Sequence, residues 1–93
     1  MKVSVVIPCY NDGKYLKNAV ESVVKIKSPE VELIIVNDGS YDTETLQLLA
    51  SYKLQGLKVL SHENRGLAYT RNRGISEARG EYILPLDADN IIK

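Results

Sequence analysis

The sequence has little of what marks several common classes of protein. Its 93 residues contain one cysteine, Cys9, which excludes an internal disulfide and a cysteine-rich zinc site. Twelve basic and twelve acidic side chains cancel, so no overall field attracts nucleic acid or an anionic membrane. No apolar run approaches the ~18 residues that a membrane span needs, and Pro8 interrupts the start too early for a signal peptide. We therefore predict a soluble, cytoplasmic protein with no nucleic-acid partner and no membrane insertion.

What is present is an ordinary globular composition, 44% hydrophobic and 26% charged. Short apolar runs alternate with segments of helical periodicity over residues 1–93, which we interpret as one small domain. The expected strands are residues 3–7, 31–36, 57–60 and 82–86, and the expected helices are residues 13–27, 43–52 and 66–78. On the second helix, the residues expected to face inward are Leu46, Leu49 and Ala50. On the third helix, the residues expected to share one face are Leu67, Arg71, Ile75 and Ala78.

The order β-α-β-α-β-α-β predicts an α/β fold, a Rossmann-like arrangement of three layers in which helices cover a parallel sheet. Right-handed crossovers in a doubly wound sheet give the strand order 3-2-1-4. Ligands in such sheets bind outside the carboxyl ends of the strands, where the strand order reverses. The loops at residues 8–12 and 37–39 and the residues after the fourth strand are then expected to share one edge.

Two carboxylates, Asp87 and Asp89, come directly after the fourth strand. Residues two apart in an extended segment point the same way, so both can face one cation. Mg²⁺ and Mn²⁺ take oxygen ligands, and Mg²⁺ is typically held by one or two carboxylates plus substrate phosphates. The alternative is a solvated acidic turn that closes the strand. The convergence of three polar loops at one edge favours the metal site.

Five blocks of sequence, in this order, carry a resemblance to a known family. They are Val3 to Asn11, Ile34 to Ser40 with Asp42-Thr43, Asn64 to Ala68 with Arg71-Asn72 and Gly74, Gly80 to Ile83, and Leu86 to Asp89. Together they resemble the family 2 glycosyltransferases, which have the GT-A nucleotide-sugar fold. The resemblance covers nearly the whole chain, which would form the N-terminal, nucleotide-sugar-binding half of that fold.

The resemblance implies a nucleotide-diphosphate-sugar donor, most often a UDP-sugar, and a divalent cation, Mn²⁺ or Mg²⁺. Asp38 would accept a hydrogen bond from the base, typically the uracil N3–H. Asp87 would lie near the ribose and the metal, and Asp89 would ligate the metal. The other residues that it assigns to the nucleotide are Pro8, Tyr10 and Asn11 beside the nucleoside, with Arg71 or Arg65 approaching the diphosphate.

Members of the family continue well beyond the position that corresponds to Lys93. We therefore expect a truncated domain that binds nucleotide but does not transfer sugar alone, because no residue in it can be named as the catalytic base. We also expect it to self-associate through its exposed fourth strand or apolar face. A non-catalytic nucleotide-binding or interaction module and a sugar nucleotidyltransferase-like protein are the alternatives. The alternative role of Asp38 is to shape a turn. The expected roles of three other residues are structural: a helix cap for Asp12, packing for Cys9 and a solvent-facing loop position for His62.

Overall fold

The computed structural model describes residues 2–86, so the predictions for Asp87 and Asp89 lie outside the described residues. Strands and helices alternate along the chain, as the sequence pattern predicts. The strands are β1 Val3–Cys9, β2 Val31–Asp38, β3 Lys58–His62 and β4 Tyr82–Pro85, and the helices are α1 Gly13–Val24, α2 Thr43–Leu54 and α3 Leu67–Glu77. No helix of the described residues is long and apolar enough to cross a membrane.

The four strands form one parallel sheet in the order β3-β2-β1-β4, which confirms the predicted order 3-2-1-4. Val3 lies opposite Val31 on one side and Tyr82 on the other, and Ile34 lies opposite Lys58. The β-branched runs of β1 and β2 occupy the centre because a parallel strand is covered on both faces. Their carboxyl ends meet at one edge of the sheet.

The core lies on both faces of the sheet because successive side chains of a strand point in opposite directions. On one face, Ile7 and Ile35 pack with residues of α1 and α2, including Leu16 and Leu49. On the other face, the core cluster of buried residues is Val6, Ile34 and Val36, and α3 packs against β1 and β2. The protein thus has the three layers that the sequence predicts.

The predicted inward face of the second helix is wrong by about one position. In α2 the buried residues are Thr45, Leu49 and Tyr52, whereas Leu46 is 42% exposed and Ala50 is also exposed. Thr45 faces inward because its backbone approaches Gly13 of α1 closely, so that a Cβ on Gly13 would lie 3.0 Å from the Thr45 hydroxyl. Only Leu49 of the predicted face is therefore correct.

In α3 the fully buried residues are Thr70 and Gly74. The predicted shared face lies beside them, with Leu67 half exposed and Ala78 packed against the core cluster. A Cβ on Gly74 would overlap Val6 Cγ1 and come within 3.1 Å of Val36 Cγ2. The helix therefore lies closest to the sheet at its smallest residue.

The connection before β4 is fixed to the amino end of the sheet by a buried serine. Ser4 Oγ donates to Glu32 Oε1 at 2.7 Å and accepts from the N–H of Gly80 at 2.8 Å, while the N–H of Arg79 donates to the same Glu32 oxygen at 2.9 Å. The hydrogen bond from the Arg79 N–H holds the pKa of Glu32 below its usual value, despite burial. At the other end, the N–H of Leu86 donates to the carbonyl of Val6 at 2.8 Å.

Candidate functional site

A cavity of about 290 Å³ opens at the carboxyl edge of the sheet, between the ends of β1 and β2 and the start of α3. Doubly wound sheets bind their ligands at this edge. The residues that line the cavity are Pro8, Cys9, Tyr10, Asp12, Asp38, Asn64, Gly66, Leu67 and Thr70. Three of the predicted nucleotide-binding residues, Pro8, Tyr10 and Asp38, therefore share one cavity.

Asp38 is the buried acid of this cavity, and several donors surround its carboxylate. Oδ1 accepts from the N–H of Arg65 at 2.7 Å and lies 3.1 Å from His62 Nε2. Oδ2 accepts from the N–H of Gly66 at 3.1 Å and from Asn64 Nδ2 at 3.3 Å. Because Gly66 is the N-cap residue of α3 and has no side chain, β2 supplies the carboxylate at this helix terminus.

The ionised form of Asp38 is the stable one here. Burial raises the pKa of the carboxyl, but hydrogen bonds from the Arg65 N–H, the Thr70 hydroxyl, the Gly66 N–H and His62 lower it further than burial raises it, to below its usual value. The cavity therefore holds a fixed negative charge at neutral pH.

His62 lies behind Asp38, with its side chain only 11% exposed, so the prediction of a solvent-facing loop histidine is wrong. The reason is that β3 extends to His62 and turns this side chain toward Asp38, whereas the turn-forming residues after it indicated an earlier end. On the far side of the ring, Arg73 Nη1 lies 2.8 Å from Nδ1. The ring of Tyr69 is nearly perpendicular to it, with centroids 5.0 Å apart.

Asn11 does not line the cavity but ties its loops together. Its backbone has a φ of 54°, in the left-handed region that asparagine tolerates better than most residues. Its side-chain oxygen accepts from the N–H groups of Tyr41 and Asp42 at 2.9 and 3.0 Å, and its own N–H donates to Ser40 Oγ. The loops after β1 and β2 are thus held at a fixed separation.

The first loop contributes an aromatic side chain and two smaller groups to the cavity. Tyr10 is 42% exposed and meets the ring of Tyr41 edge-on, with centroids 6.2 Å apart. Cys9 is buried, as predicted, and burial raises the pKa of its thiol, so the neutral form packs in the wall. Asp12 is the N-cap residue of α1, as predicted, although its side chain makes no capping hydrogen bond in the described structure.

Comparisons with known proteins agree with this geometry. The model of the family described as glycosyl transferase family 2 matches residues 4–93. The chain belongs to glycosyl transferase family 2. Glycosyltransferase GlyG of Streptococcus pneumoniae serotype 4 is 43% identical over 94 residues, which cover 98% of this chain and 31% of GlyG.

Several solved structures share the fold of this chain. S. aureus TarS, residues 1–349, is 37% identical with a TM-score of 0.85, covering 100% of this chain and 29% of that chain. A structure of the same TarS region in complex with UDP-GlcNAc matches 96% of this chain and 27% of that chain, with a TM-score of 0.82. A mannosyltransferase from Pyrobaculum calidifontis in complex with GDP-Man and Mn²⁺ has a TM-score of 0.77 over 95% of this chain and 27% of its own, but at 23% identity it supports the fold alone. The chain thus spans less than a third of the length of each of these relatives.

The remaining residues that the family resemblance implies for nucleotide and metal binding are not among the cavity-lining residues. Arg71 is half-buried on α3, next to the cavity-lining Thr70, but is not itself part of the lining. Asp87 and Asp89 follow Leu86, the last described residue, which β4 brings to the edge beside Val6. Within residues 2–86 no group of three His, Cys, Asp or Glu side chains could hold a metal ion.

Proposed function

We propose that this chain is the nucleotide-binding part of a glycosyltransferase that uses a UDP-sugar as donor. The observation that carries the proposal is a buried, ionised Asp38 carboxylate in the wall of a cavity at the carboxyl edge of the sheet. The complex of TarS with UDP-GlcNAc supports it, because TarS is 37% identical over this region. On this proposal residues 1–93 form one nucleotide-diphospho-sugar-binding unit.

Asp38 would select the base by accepting its imide N–H. The carboxylate already has several donors, so an added donor would take the place of the weakest one. That donor is Asn64 Nδ2, which has the longest contact with the carboxylate, 3.3 Å, and belongs to an exposed residue of the cavity wall. A base without a donor at this position would leave the buried carboxylate less well paired, which penalises the wrong nucleotide.

The other nucleotide contacts come from the loop after β1 and from α3. Pro8 and Tyr10 would border the nucleoside, with the exposed part of the Tyr10 ring as an apolar surface for it. Asn11 would act by holding the loops after β1 and β2 together. Arg71 is proposed as the basic residue nearest the diphosphate.

Asp87 and Asp89 are proposed to hold Mn²⁺ or Mg²⁺ beside the diphosphate. The donor set fits, because two carboxylates separated by one residue are oxygen ligands suited to hard cations. The hydrogen bond from Leu86 to Val6 brings the chain to the edge at which the cavity opens. A cation there would neutralise charge on the departing nucleotide.

Binding of UDP should therefore depend on a divalent cation. We expect UDP to raise the melting temperature of the chain more in Mn²⁺ than in EDTA, because a ligand that binds only the folded state stabilises it. Asp89→Asn should abolish that difference, and Glu81→Gln serves as a matched control for loss of one nearby negative charge. Equal stabilisation by UDP in EDTA and in Mn²⁺ would refute the metal role.

The chain alone is proposed to bind donor without transferring sugar, and to self-associate through β4. Within the described residues β4 pairs only with β1, and Tyr82, Ile83 and Leu84 are exposed beside the free edge. Unpaired strand edges and apolar patches favour association between copies. A non-catalytic nucleotide-binding module remains the second candidate function, and the same cavity supports it.

We expect light scattering to report a dimer or larger species at micromolar concentration. Ile83→Lys should shift it toward monomer, because a lysine at an edge strand opposes pairing. Leu54→Lys, at an apolar position that is 90% exposed at the end of α2, is the matched control and should change nothing. A monomeric wild-type chain would contradict the proposed role of β4 in self-association. Measurable sugar transfer to an added acceptor would contradict the proposal that the chain alone does not transfer sugar.

A further inference from the structure

We propose that His62 is a positioning residue for Asp38 and that Arg73 fixes its tautomer. This inference deepens the proposed function and rests on it for its consequence in nucleotide binding. The three side chains form a line from the surface of α3 to the cavity, with Arg73 Nη1 2.8 Å from His62 Nδ1 and His62 Nε2 3.1 Å from Asp38 Oδ1.

The tautomer follows from the donors and acceptors around the ring. A guanidinium has N–H donors only, so the contact with Arg73 requires His62 Nδ1 to be an unprotonated acceptor. The single proton of the neutral ring must then lie on Nε2, where it faces Asp38 Oδ1. The Thr70 hydroxyl, 3.2 Å from Nε2, has acceptors of its own in the Gly66 carbonyl, at 2.7 Å, and the Asp38 carboxylate, and with its proton on either of them it presents a lone pair to Nε2. The surroundings of both ring nitrogens therefore favour the tautomer that is protonated on Nε2.

The ring has little freedom to leave this arrangement. Arg73 Nη1 also donates to the Ser61 carbonyl at 2.7 Å, which fixes the guanidinium to the backbone of β3. Tyr69 closes another side of the imidazole, and Arg65 lies over the outer face of the Tyr69 ring at 5.6 Å. Adding a second proton at Nδ1 would bring two donors together at 2.8 Å, so the charged ring would have to release Arg73.

The consequence for Asp38 lies in the direction of its carboxylate. The terminal torsion of an aspartate is broad, so its oxygens point where their donors hold them. Oδ1 is held by the Arg65 N–H and by His62, and Oδ2 faces Asn64 and Gly66, which line the cavity. Removing the His62 donor frees the carboxylate to turn and misdirects the oxygen offered to a base.

The first test reads the tautomer in the unmodified chain. His62 is the only histidine, so a long-range ¹H–¹⁵N NMR spectrum reports one imidazole without ambiguity. At pH 8 we expect Nε2 to have the shift of a protonated nitrogen and Nδ1 that of an unprotonated one. Arg73→Met should move both shifts toward the average of a mixed population, whereas Arg79→Met, at another exposed arginine, should leave them unchanged. A ring protonated on Nδ1 in the wild-type chain would overturn the inference.

The second test links the tautomer to nucleotide binding. We expect His62→Ala to weaken UDP binding by about three- to tenfold, the usual net effect of one hydrogen bond, because His62 acts on the nucleotide only through the direction of the Asp38 carboxylate. His62→Gln should restore most of the affinity, because its amide can accept from Arg73 and donate to Asp38, whereas His62→Asn reaches only the position of Nδ1. Equal UDP affinity in the Gln and Asn variants would overturn the positioning role, even if His62→Ala fails to fold.

The two proposals fail separately. If the wild-type chain with Mn²⁺ does not bind UDP while the Nε2–H tautomer is present, the proposed function is wrong and the tautomer assignment stands. If UDP binds and its affinity is independent of residue 62, the proposed function stands and the positioning role is wrong.

Discussion

Asp38→Asn should weaken UDP binding about tenfold or more, because a hydrogen bond to a charged group contributes about 1.5–3 kcal/mol. The asparagine keeps the shape of the side chain but replaces one acceptor oxygen by a donor. That donor would face either the Arg65 and His62 pair or the Gly66 and Asn64 pair, each of which already donates. The measurement is UDP affinity by calorimetry, well below the melting temperature of each variant.

Two controls separate base recognition from general damage. Asn64→Ala removes the donor that the base would displace, so it should leave UDP affinity equal or slightly higher. Affinity for inorganic pyrophosphate should change little in Asp38→Asn, because pyrophosphate has no base. An equal loss for UDP and pyrophosphate would mean that Asp38 acts only by organising the loop before α3.

The same substitution should change the pH dependence of stability. The folded-state pKa of Asp38 lies below its unfolded value of about 3.8, so its contribution to the free energy of unfolding is fully present above that value. The contribution is lost as the pH falls through the lower, folded pKa. Asp38→Asn should therefore flatten part of the acid limb of a stability curve, and Glu32 accounts for another part because its pKa is also lowered.

Gly74→Val should lower the free energy of unfolding by about 3 kcal/mol, at the upper end of the usual cost of overpacking a core. The added carbons would overlap Val6 and crowd Val36, both of which are fully buried and have no space to move into. Valine has a somewhat better helix propensity than glycine, which offsets only a few tenths of a kcal/mol. Chemical denaturation of both proteins measures the difference.

The matched control is Asn72→Val, which adds the same β-branched side chain to the exposed face of α3. It should stay within about 0.5 kcal/mol of the wild-type chain, as most surface substitutions do. If Gly74→Val cost no more than Asn72→Val, the close approach of α3 to the sheet would be wrong.

The sheet could be predicted from the sequence because its signals are local. β-branched runs such as Val3–Ile7 specify buried parallel strands, and the rules of handedness and winding then leave the order 3-2-1-4. The helix faces could not, since a period of 3.6 shows which residues share a face but not how close that face lies to the sheet. Gly74 decided the orientation of α3 through a contact with Val6 that lies 68 positions earlier in the chain.

The candidate site, too, could be predicted from the sequence only in part. Asp38 was predicted at the carboxyl edge because it lies in the glycine-containing turn that follows the second predicted strand. Two of its donors are the backbone N–H groups of Arg65 and Gly66, which no residue type reveals. His62 was missed because Glu63 and Asn64 indicate a loop. Strand β3 continues to His62, beyond its predicted end at residue 60, and this extension directs the ring toward Asp38.

Cavity volume alone does not select the site. A larger groove of about 460 Å³ lies between α1 and α2, where it is lined by residues such as Lys17, Leu48 and Tyr52. It has no buried acid comparable to Asp38 among its lining residues, and it lies away from the carboxyl ends of the strands. A measurement that distinguishes the two positions is therefore required.

The most direct measurement is a titration of the ¹⁵N-labelled chain with UDP in the presence of Mg²⁺, followed amide by amide. We expect the largest shift changes at Tyr10, at Asp38 and over residues 64–70, with small changes around the α1–α2 groove. Changes centred on Lys25, Ser51 and Gln55 instead, or no changes at millimolar UDP, would contradict the proposal that the Asp38 cavity binds the nucleotide.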